Sequence, residues 1–192
     1  MTSAARAIES NADDPVTMTV DEFLLWAEGR PGRHELVGGH VHAIAPERAG
    51  HARAKIRAQR ALEDAIARER LPCEAMGDGM TVRVDPSTAY EPDALVYCGE
   101  RIAEAATEVP APAIVVEVLP PSTGFYDRHG KLAGYFAVPS VRHHLIVDID
   151  RRMVAHHARQ GDEIRTRLVP SGPLRLDPPG LDLTVEDLLG PE

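Results

Sequence analysis

The seven residues Ala-Ile-Val-Val-Glu-Val-Leu at positions 113–119 decide the fold of this chain. The run is rich in β-branched residues and too short for a helix to be preferred, so it predicts a buried strand. Because alternate side chains of a strand point to opposite faces, Val115 and Glu117 share one face while Val116 and Val118 share the other. A carboxylate in such a strand needs a bound cation, a basic side chain or a proton to compensate its burial. An edge position where Glu117 meets water is the alternative.

The segments on either side of this strand predict a mixed sheet with helices packed on it. A helix-like segment at 50–70 and strand-like runs at 80–84 and 94–98 precede it. A helix at 127–137 and a strand at 143–149 follow it. This order of helix, three strands, helix and strand predicts an α/β fold, in the sense of an α+β mixed sheet.

Hairpins are predicted at both ends of this core. Gly38-Gly39 interrupts the run 34–44 and is a two-residue hairpin signal. Near the other end, the segment 153–169 reads as a second hairpin. Residues 1–17 are small, polar and unpatterned, which is typical of a flexible tail. We therefore expect one domain over residues 18–190.

Composition excludes several classes of protein. With 192 residues, 43% of them hydrophobic and 27% charged, the chain has ordinary globular composition. The only cysteines, Cys73 and Cys98, exclude a disulfide-rich scaffold and a cysteine-based zinc knuckle, and they favour a reducing cytoplasm. No run approaches the roughly 18 apolar residues of a membrane span. The net charge of −9 means that binding of nucleic acid would need a local basic surface.

Two carboxylates are the first candidates for a functional site. Asp93 opens the strand-like run before 113–119, and Pro92 favours an extended backbone before it. If the two strands pair, Asp93 and Glu117 converge at one end of the sheet. Hard oxygen ligands of this kind suit Mg²⁺, which keeps several waters and can bind a phosphate. Taken alone, Asp93 is more commonly a turn or strand-start residue, so the pair is more informative than either member.

Lys131 is the third candidate. It lies near the start of the predicted helix 127–137, and if that helix packs on the sheet its ammonium can reach Glu117 and orient a water. A solvated helix lysine is the alternative. The chain has only one other lysine, Lys55, against nineteen arginines, and an ammonium is not interchangeable with a guanidinium.

Several motifs together resemble a known family. They are His34-Glu35-Leu36-Val37-Gly38-Gly39, Pro92-Asp93, Val115-Val116-Glu117-Val118-Leu119-Pro120-Pro121-Ser122-Thr123, Asp127 with Lys131 and Tyr135, and His144-Leu145-Ile146-Val147-Asp148. They are similar to the Uma-two family of restriction endonuclease-like proteins, within the PD-(D/E)XK nuclease superfamily, over residues 17–190. The resemblance implies a restriction-endonuclease-like core and an endonuclease that hydrolyses DNA with Mg²⁺, or Mn²⁺ as a substitute.

The resemblance also implies roles for individual residues. Asp93 and Glu117 would bind the metal together with the carbonyl of Val118. The chain has Leu119 where the superfamily's Glu-x-Lys signature has lysine, and the family carries this lysine on the following helix, where Lys131 matches. The departure at Leu119 keeps open an alternative function, a catalytically inactive module that binds nucleic acid on the same scaffold.

Two further positions match the family less specifically. Glu35 matches an acidic position and is a candidate additional catalytic residue. His51 matches a histidine at the start of the long helix and is a candidate nucleic-acid contact.

A basic stripe is the candidate surface for duplex DNA. Arg53, Arg57 and Arg60 follow i, i+4, i+7 spacing on the helix predicted at 50–70, and residues 48–60 contain no acidic residue. Such a stripe beside a carboxylate site can guide phosphates. A solvated arginine-rich surface is the equally open alternative. A homodimer is expected if both strands of a duplex are cut.

The histidines give a weaker alternative. His40 and His42, followed by Glu47, resemble part of a cupin metal motif, because side chains two residues apart share a strand face. The flanking glycine of that motif is absent at the required spacing. The pairs His143-His144 and His156-His157 place their members on opposite strand faces, so neither pair can chelate one metal as neighbours.

Overall fold

The structure is a computed structural model that describes residues 17–119 and 125–190, with the backbone alone for 125–129. The predicted tail at 1–17 lies, except for Thr17, outside the described residues. The segment 120–124, which includes the Pro-Ser-Thr part of the family motif, also lies outside them.

Four helices and twelve strands make up the described chain. The helices are α1 (Val20–Ala27), α2 (Ala49–Glu69), α3 (Phe125–Ala137) and α4 (Val185–Leu189). The first strands are β1 (Arg33–Val37), β2 (His40–Ile44), β3 (Cys73–Gly77), β4 (Val82–Asp85), β5 (Thr88–Tyr90) and β6 (Ala94–Cys98). The remaining strands are β7 (Pro112–Leu119), β8 (His143–Asp148), β9 (Met153–Gln160), β10 (Glu163–Val169), β11 (Pro173–Leu176) and β12 (Leu181–Thr184).

The central sheet has six strands in the order β10-β9-β8-β7-β6-β3. Strands β7 and β8 are parallel and are connected through α3, while the other neighbours in this sheet are antiparallel. A parallel pair needs such a crossover connection, which the helix supplies. The predicted mixed sheet, the helix between its parallel strands and both hairpins are therefore confirmed.

One predicted strand belongs to a different sheet. The run at 80–84 forms β4, which pairs with β5 in a second sheet of order β2-β1-β5-β4 and not with the central sheet. The central sheet is completed instead by β3, which pairs with β6. The sequence Cys-Glu-Ala-Met-Gly of β3 has no β-branched residue, so its pattern gave no strand signal. A further hairpin, β11 with β12, follows the predicted one at 153–169.

The two faces of the central sheet pack against different helices. Ile114, Val116 and Val118 of β7 lie in a core shared with α2, α4 and the hairpin of β11 and β12. Val115 lies in a second core with Tyr135 and neighbouring residues of α3. The predicted alternation along 113–119 is therefore confirmed, and it places Glu117 on the α3 side.

A disulfide joins Cys73 and Cys98, which are directly opposite each other on β3 and β6. The sequence favoured a reducing compartment, so this single cross-strand bond differs from the expectation. No helix in the described part of the chain is long and apolar enough to cross a membrane.

Candidate active site

Asp93 and Glu117 lie beside each other at the end of the central sheet where β6 begins and β7 approaches its last residue. The register pairs Ala94 with Val116, and the Asp93 amide donates to the Val116 carbonyl over 3.0 Å. Asp93 therefore lies just before β6, next to the end of β7 that carries Glu117, and both side chains line one cavity. The structure thus brings both carboxylates to the same end of the sheet, and their joint binding of a metal stays a prediction.

Both carboxylate oxygens of Asp93 have partners. The Val118 amide donates to Oδ2 over 2.7 Å, and Lys55 Nζ lies 2.8 Å from Oδ1. Asp93 is only 7% exposed. A backbone amide and a buried cation therefore fix the orientation of this carboxylate.

Glu117 is compensated by groups on α3. Its Oε1 accepts a hydrogen bond of 2.6 Å from the Tyr135 hydroxyl and lies 3.2 Å from Lys131 Nζ. Burial raises the pKa of Glu117 to about 7; Lys131 opposes this increase, while the carboxylates of Asp93 and Glu35 add to it. Glu117 is thus stabilised by a basic side chain, one of the three possibilities that its position in a buried strand left open.

Lys131 also binds Glu35, which β1 of the second sheet supplies. Lys131 Nζ lies 2.7 Å from Glu35 Oε1, and the same oxygen accepts a 2.8 Å hydrogen bond from the Glu91 amide. Burial lowers the pKa of Lys131, but the carboxylates of Glu117 and Glu35 outweigh burial and hold the pKa above its ordinary value. Lys131 therefore stays charged. Its ammonium contacts Glu35 from the second sheet and Glu117 from the central sheet.

Lys55 is the residue of this site that sequence reasoning missed. Its side chain on α2 is 5% exposed and lies 2.7 Å from Asp78 Oδ2 and 2.8 Å from Asp93 Oδ1, with Glu47 as a third partner. Burial lowers the pKa of Lys55, whereas Asp78 and Asp93 raise it above its ordinary value. The scarcity of lysine, which drew attention to Lys131, was the signal that could have identified Lys55 as well.

His51 reaches the site from the first turns of α2. Its Nε2 lies 2.6 Å from the Val118 carbonyl oxygen, and its Nδ1 lies 3.0 Å from Glu47 Oε2. His51 is buried, so it holds the end of β7 against α2. The structure places it beside a predicted metal ligand, and its contact with nucleic acid stays a prediction.

These residues line one cavity of about 680 Å³. Glu35, Asp93, Glu117, Lys131, Lys55 and His51 all lie on its surface. Arg53, Arg57 and Arg60 do not line it. Arg57 instead donates to the Leu189 carbonyl at the end of α4 over 2.6 Å. The structure therefore does not bring the arginine stripe to the carboxylates, and its role in binding nucleic acid stays a prediction.

The other histidines whose side chains the structure describes form no metal site with a third ligand. His143 and His156 pair across β8 and β9, with Nδ1 and Nε2 2.9 Å apart, while His144 lies on the opposite face beside the Tyr135 ring. No group of three or more His, Cys, Asp or Glu side chains among the described residues is arranged to hold a metal ion. The cupin-like alternative, which needs His40 and His42 with further ligands, gains no support.

The oxygen donors at this end of the sheet are of the kind that binds Mg²⁺ together with water molecules. Asp93 and Glu117 offer two carboxylates, and Val118, which lines the same cavity, adds a backbone carbonyl. A carboxylate oxygen has two lone pairs, so the contacts with Lys55, Lys131 and Tyr135 leave acceptor capacity on both groups. Mg²⁺ is commonly bound through one or two carboxylates and completes its coordination with water. The donor set therefore fits the metal that the resemblance implies.

A family model described as "Putative restriction endonuclease", that of the Uma2 (Uma-two) family, matches residues 20–186. The chain belongs to the Uma2 family. Family membership confirms the resemblance drawn from the sequence motifs and places the chain among nuclease-like proteins.

Two relatives of this Uma2 protein cover most of its length. The uncharacterized protein slr1290 of Synechocystis sp. is 27% identical over 175 residues, which are 88% of this chain and 90% of that protein. A crystal structure described as a putative nuclease belonging to DUF820, from Anabaena variabilis, superposes with a TM-score of 0.69 at 18% identity, covering 90% of this chain and 97% of that chain. The similarity of the two structures confirms the nuclease-type fold.

Proposed function

We propose that this Uma2 protein is an endonuclease that hydrolyses phosphodiester bonds of DNA with the help of Mg²⁺. The observation that carries the proposal is that Asp93 and Glu117 line one cavity at the same end of the sheet, each with a lysine beside it. Burying two neighbouring carboxylates costs folding free energy, so a role in function explains their presence better than a role in folding. The nuclease-like family supports the reaction class.

Asp93, Glu117 and the Val118 carbonyl would hold the metal. When bound, Mg²⁺ (or Mn²⁺ in its place) supplies a Lewis acid for the phosphate and lowers the pKa of a bound water. Lys55 positions the Asp93 carboxylate, and His51 positions the Val118 carbonyl. These outer contacts matter because groups that orient metal ligands change metal affinity and activity when they are removed.

Lys131 would orient the attacking water and stabilise negative charge that develops on the phosphate. Because Glu117 and Glu35 keep its pKa above the ordinary value, Lys131 acts as a charged hydrogen-bond donor and not as a general base. Glu35 Oε1 and Glu117 Oε1 fix its position at 2.7 and 3.2 Å. This arrangement lets a lysine on α3 do what the lysine of the Glu-x-Lys signature would do at the position of Leu119.

Duplex DNA is the proposed substrate in the cytoplasm. One chain contributes one such site, so a homodimer with two sites would allow both strands of a duplex to be cut.

The proposal is tested by cleavage of plasmid and linear DNA with Mg²⁺ or Mn²⁺. Asp93→Asn and Glu117→Gln should each lower the cleavage rate by more than about 100-fold, since each removes the charge of a proposed direct ligand and the loss of an outer partner alone costs about 10–100-fold. Glu163→Gln, which neutralises an exposed carboxylate on β10, is the matched control and should cleave like the wild type. Wild-type rates in both site variants would refute the proposal.

The alternative of a non-cleaving nucleic-acid-binding module was motivated by Leu119. The contact between Lys131 and Glu117 removes much of that motivation, because an ammonium reaches the carboxylate from another element. The same experiment separates the two functions. Wild-type protein that binds DNA but shows no turnover with either metal would favour the module.

A further inference from the structure

We infer that Arg48 and His42 contact the phosphate backbone of the nucleic acid at the mouth of the cavity. This inference rests on the proposed function and names the surface through which that function would engage its substrate. It assigns the phosphate contacts to the connection between β2 and α2, and not to the arginine stripe of α2.

The pairing of charges in the cavity singles out Arg48. Among the cations that line the cavity, Arg33 pairs with Glu91 at 2.6 Å, and Lys55 and Lys131 pair with the site carboxylates. Arg48 lines the same cavity and is exposed, and its side chain has no ion-pair or hydrogen-bond partner in the described part of the chain. A cation that no carboxylate neutralises is the one available to an incoming phosphate.

The position of Arg48 suits this contact. It is the N-cap residue of α2, makes no capping hydrogen bond with its side chain, and is followed by a first turn without an acidic residue. The approach of a polyanion to this end of the helix therefore meets no repulsive charge from α2 itself. His51 and Lys55, one and two turns further along, lead directly to Val118 and Asp93.

His42 extends the same surface along β2. It is exposed, lines the cavity, and lies directly opposite Glu35 in the pairing of β1 with β2. Opposite residues share a face, so the imidazole is presented on the side of the sheet where Glu35 meets Lys131. The exposure of His42 leaves the imidazole accessible to a ligand as large as a nucleic acid.

The arginine stripe offers a matched comparison on the same helix. Arg53 and Arg60 are exposed like Arg48 and also lack ion pairs in the described residues, but they do not line the cavity. If only general electrostatic attraction held the DNA, Arg53 and Arg48 would contribute equally to its binding. A located phosphate contact requires the loss of Arg48 to weaken binding more than the loss of Arg53.

The test is the salt dependence of binding to a fluorescein-labelled DNA duplex, measured by fluorescence anisotropy. The buffer contains calcium in place of magnesium so that the duplex is not cut, and a gel confirms that it stays intact. The slope of log affinity against log salt falls by about 0.9 for each phosphate that the protein no longer neutralises. Arg48→Ala should therefore reduce the slope by about 1 and weaken binding about fivefold at low salt. His42→Ala should weaken binding further in the double variant, while Arg53→Ala should reduce the slope by less than Arg48→Ala does.

The outcomes separate this inference from the proposed function. A slope of log affinity against log salt that stays unchanged in Arg48→Ala would overturn the inference, and so would an equal reduction in Arg53→Ala. In either case, DNA binding and cleavage by the wild type would still support the proposed nuclease. A wild-type protein that neither binds nor cleaves the duplex would overturn the proposed function, and the inference with it. Arg48 makes no described contact with another side chain, so its replacement should leave the circular dichroism spectrum and the melting temperature unchanged.

Discussion

The two lysines of the chain stand on opposite sides of one carboxylate site, and they solve different electrostatic problems. Lys55 on α2 is 5% exposed and shares its charge among Asp93, Asp78 and Glu47. Lys131 on α3 is 26% exposed and serves Glu35 and Glu117. Both are held charged by neighbouring carboxylates.

The difference lies in what can replace each cation. Glu117, with a pKa raised to about 7, can take up a proton near neutral pH, so a proton can substitute for part of the charge of Lys131. Lys55 is the shared partner of three carboxylates at once, and one proton cannot replace three ion pairs. We therefore interpret Lys55 as the structural cation of the site and Lys131 as the cation closest to the chemistry.

The largest effect is expected for Lys55→Met. The substitution keeps the volume of the side chain but leaves Asp93 and its neighbours without a cation, and removing one partner of a buried ion pair costs about 3–5 kcal/mol. The free energy of unfolding should fall by about that amount in guanidinium titrations at pH 7. A decrease smaller than that of Lys131→Met would contradict the assignment of roles.

A second effect is the pH dependence that Glu117 contributes to stability. Its pKa is about 7 in the folded protein and 4.5 ordinarily, so the folded state binds more protons between these values. By linkage, the contribution of Glu117 to the free energy of unfolding is greatest below about pH 4.5. It falls as the pH rises through about 7, by about 3 kcal/mol in total in the metal-free protein.

This pH dependence is measured by chemical unfolding in EDTA from pH 5 to pH 8, as the difference between wild type and Glu117→Gln. The glutamine keeps the shape of the side chain and cannot titrate, so its stability curve should lack the decline. Parallel curves for the two proteins would contradict the elevated pKa.

A smaller effect is expected for Lys131→Met, the same substitution as at Lys55. The stability should fall by about 1–2 kcal/mol at pH 7, because Glu117 can become protonated when its cation is removed. The decrease should be larger at pH 8 than at pH 6. Carbon-13 NMR of the Glu117 carboxylate should show its pKa moving upward, and an unchanged titration would argue against the contact with Lys131.

The smallest effect is expected for Tyr135→Phe. The substitution removes the hydroxyl that donates to Glu117 Oε1 over 2.6 Å and should cost about 1 kcal/mol. Since that hydrogen bond favours the ionised carboxylate, its removal should raise the pKa of Glu117 further. Thermal unfolding and the same NMR titration measure both changes, and a lower pKa would show that the hydroxyl acts in the opposite sense.

Much of the site could be predicted because local pattern and strand register determine it. The β-branched run fixed the face of Glu117, and the pairing of that strand with the one that begins at Ala94 brought Asp93 to the same end of the sheet. Lys131 followed from the spacing of the crossover helix. These inferences needed only the periods of strands and helices.

The parts that were missed depend on how separate elements meet in space. Helical spacing put the three arginines of the stripe on one face of α2, but it carries no information on where that face points relative to the carboxylates. Lys55 became part of the site because α2 begins at the end of the sheet, which is a tertiary contact. The exchange of β3 for the run at 80–84 has the same origin, since pairing partners across distant loops are not encoded in a local pattern.

A manganese-soaked crystal examined by anomalous scattering would show directly whether the two carboxylates share one metal ion. We expect one strong peak at the end of β7, about 2.2 Å from oxygens of Asp93 and Glu117 and from the Val118 carbonyl. A fully occupied manganese ion elsewhere, such as on His40 and His42, with no density between the two carboxylates, would contradict the proposed metal site.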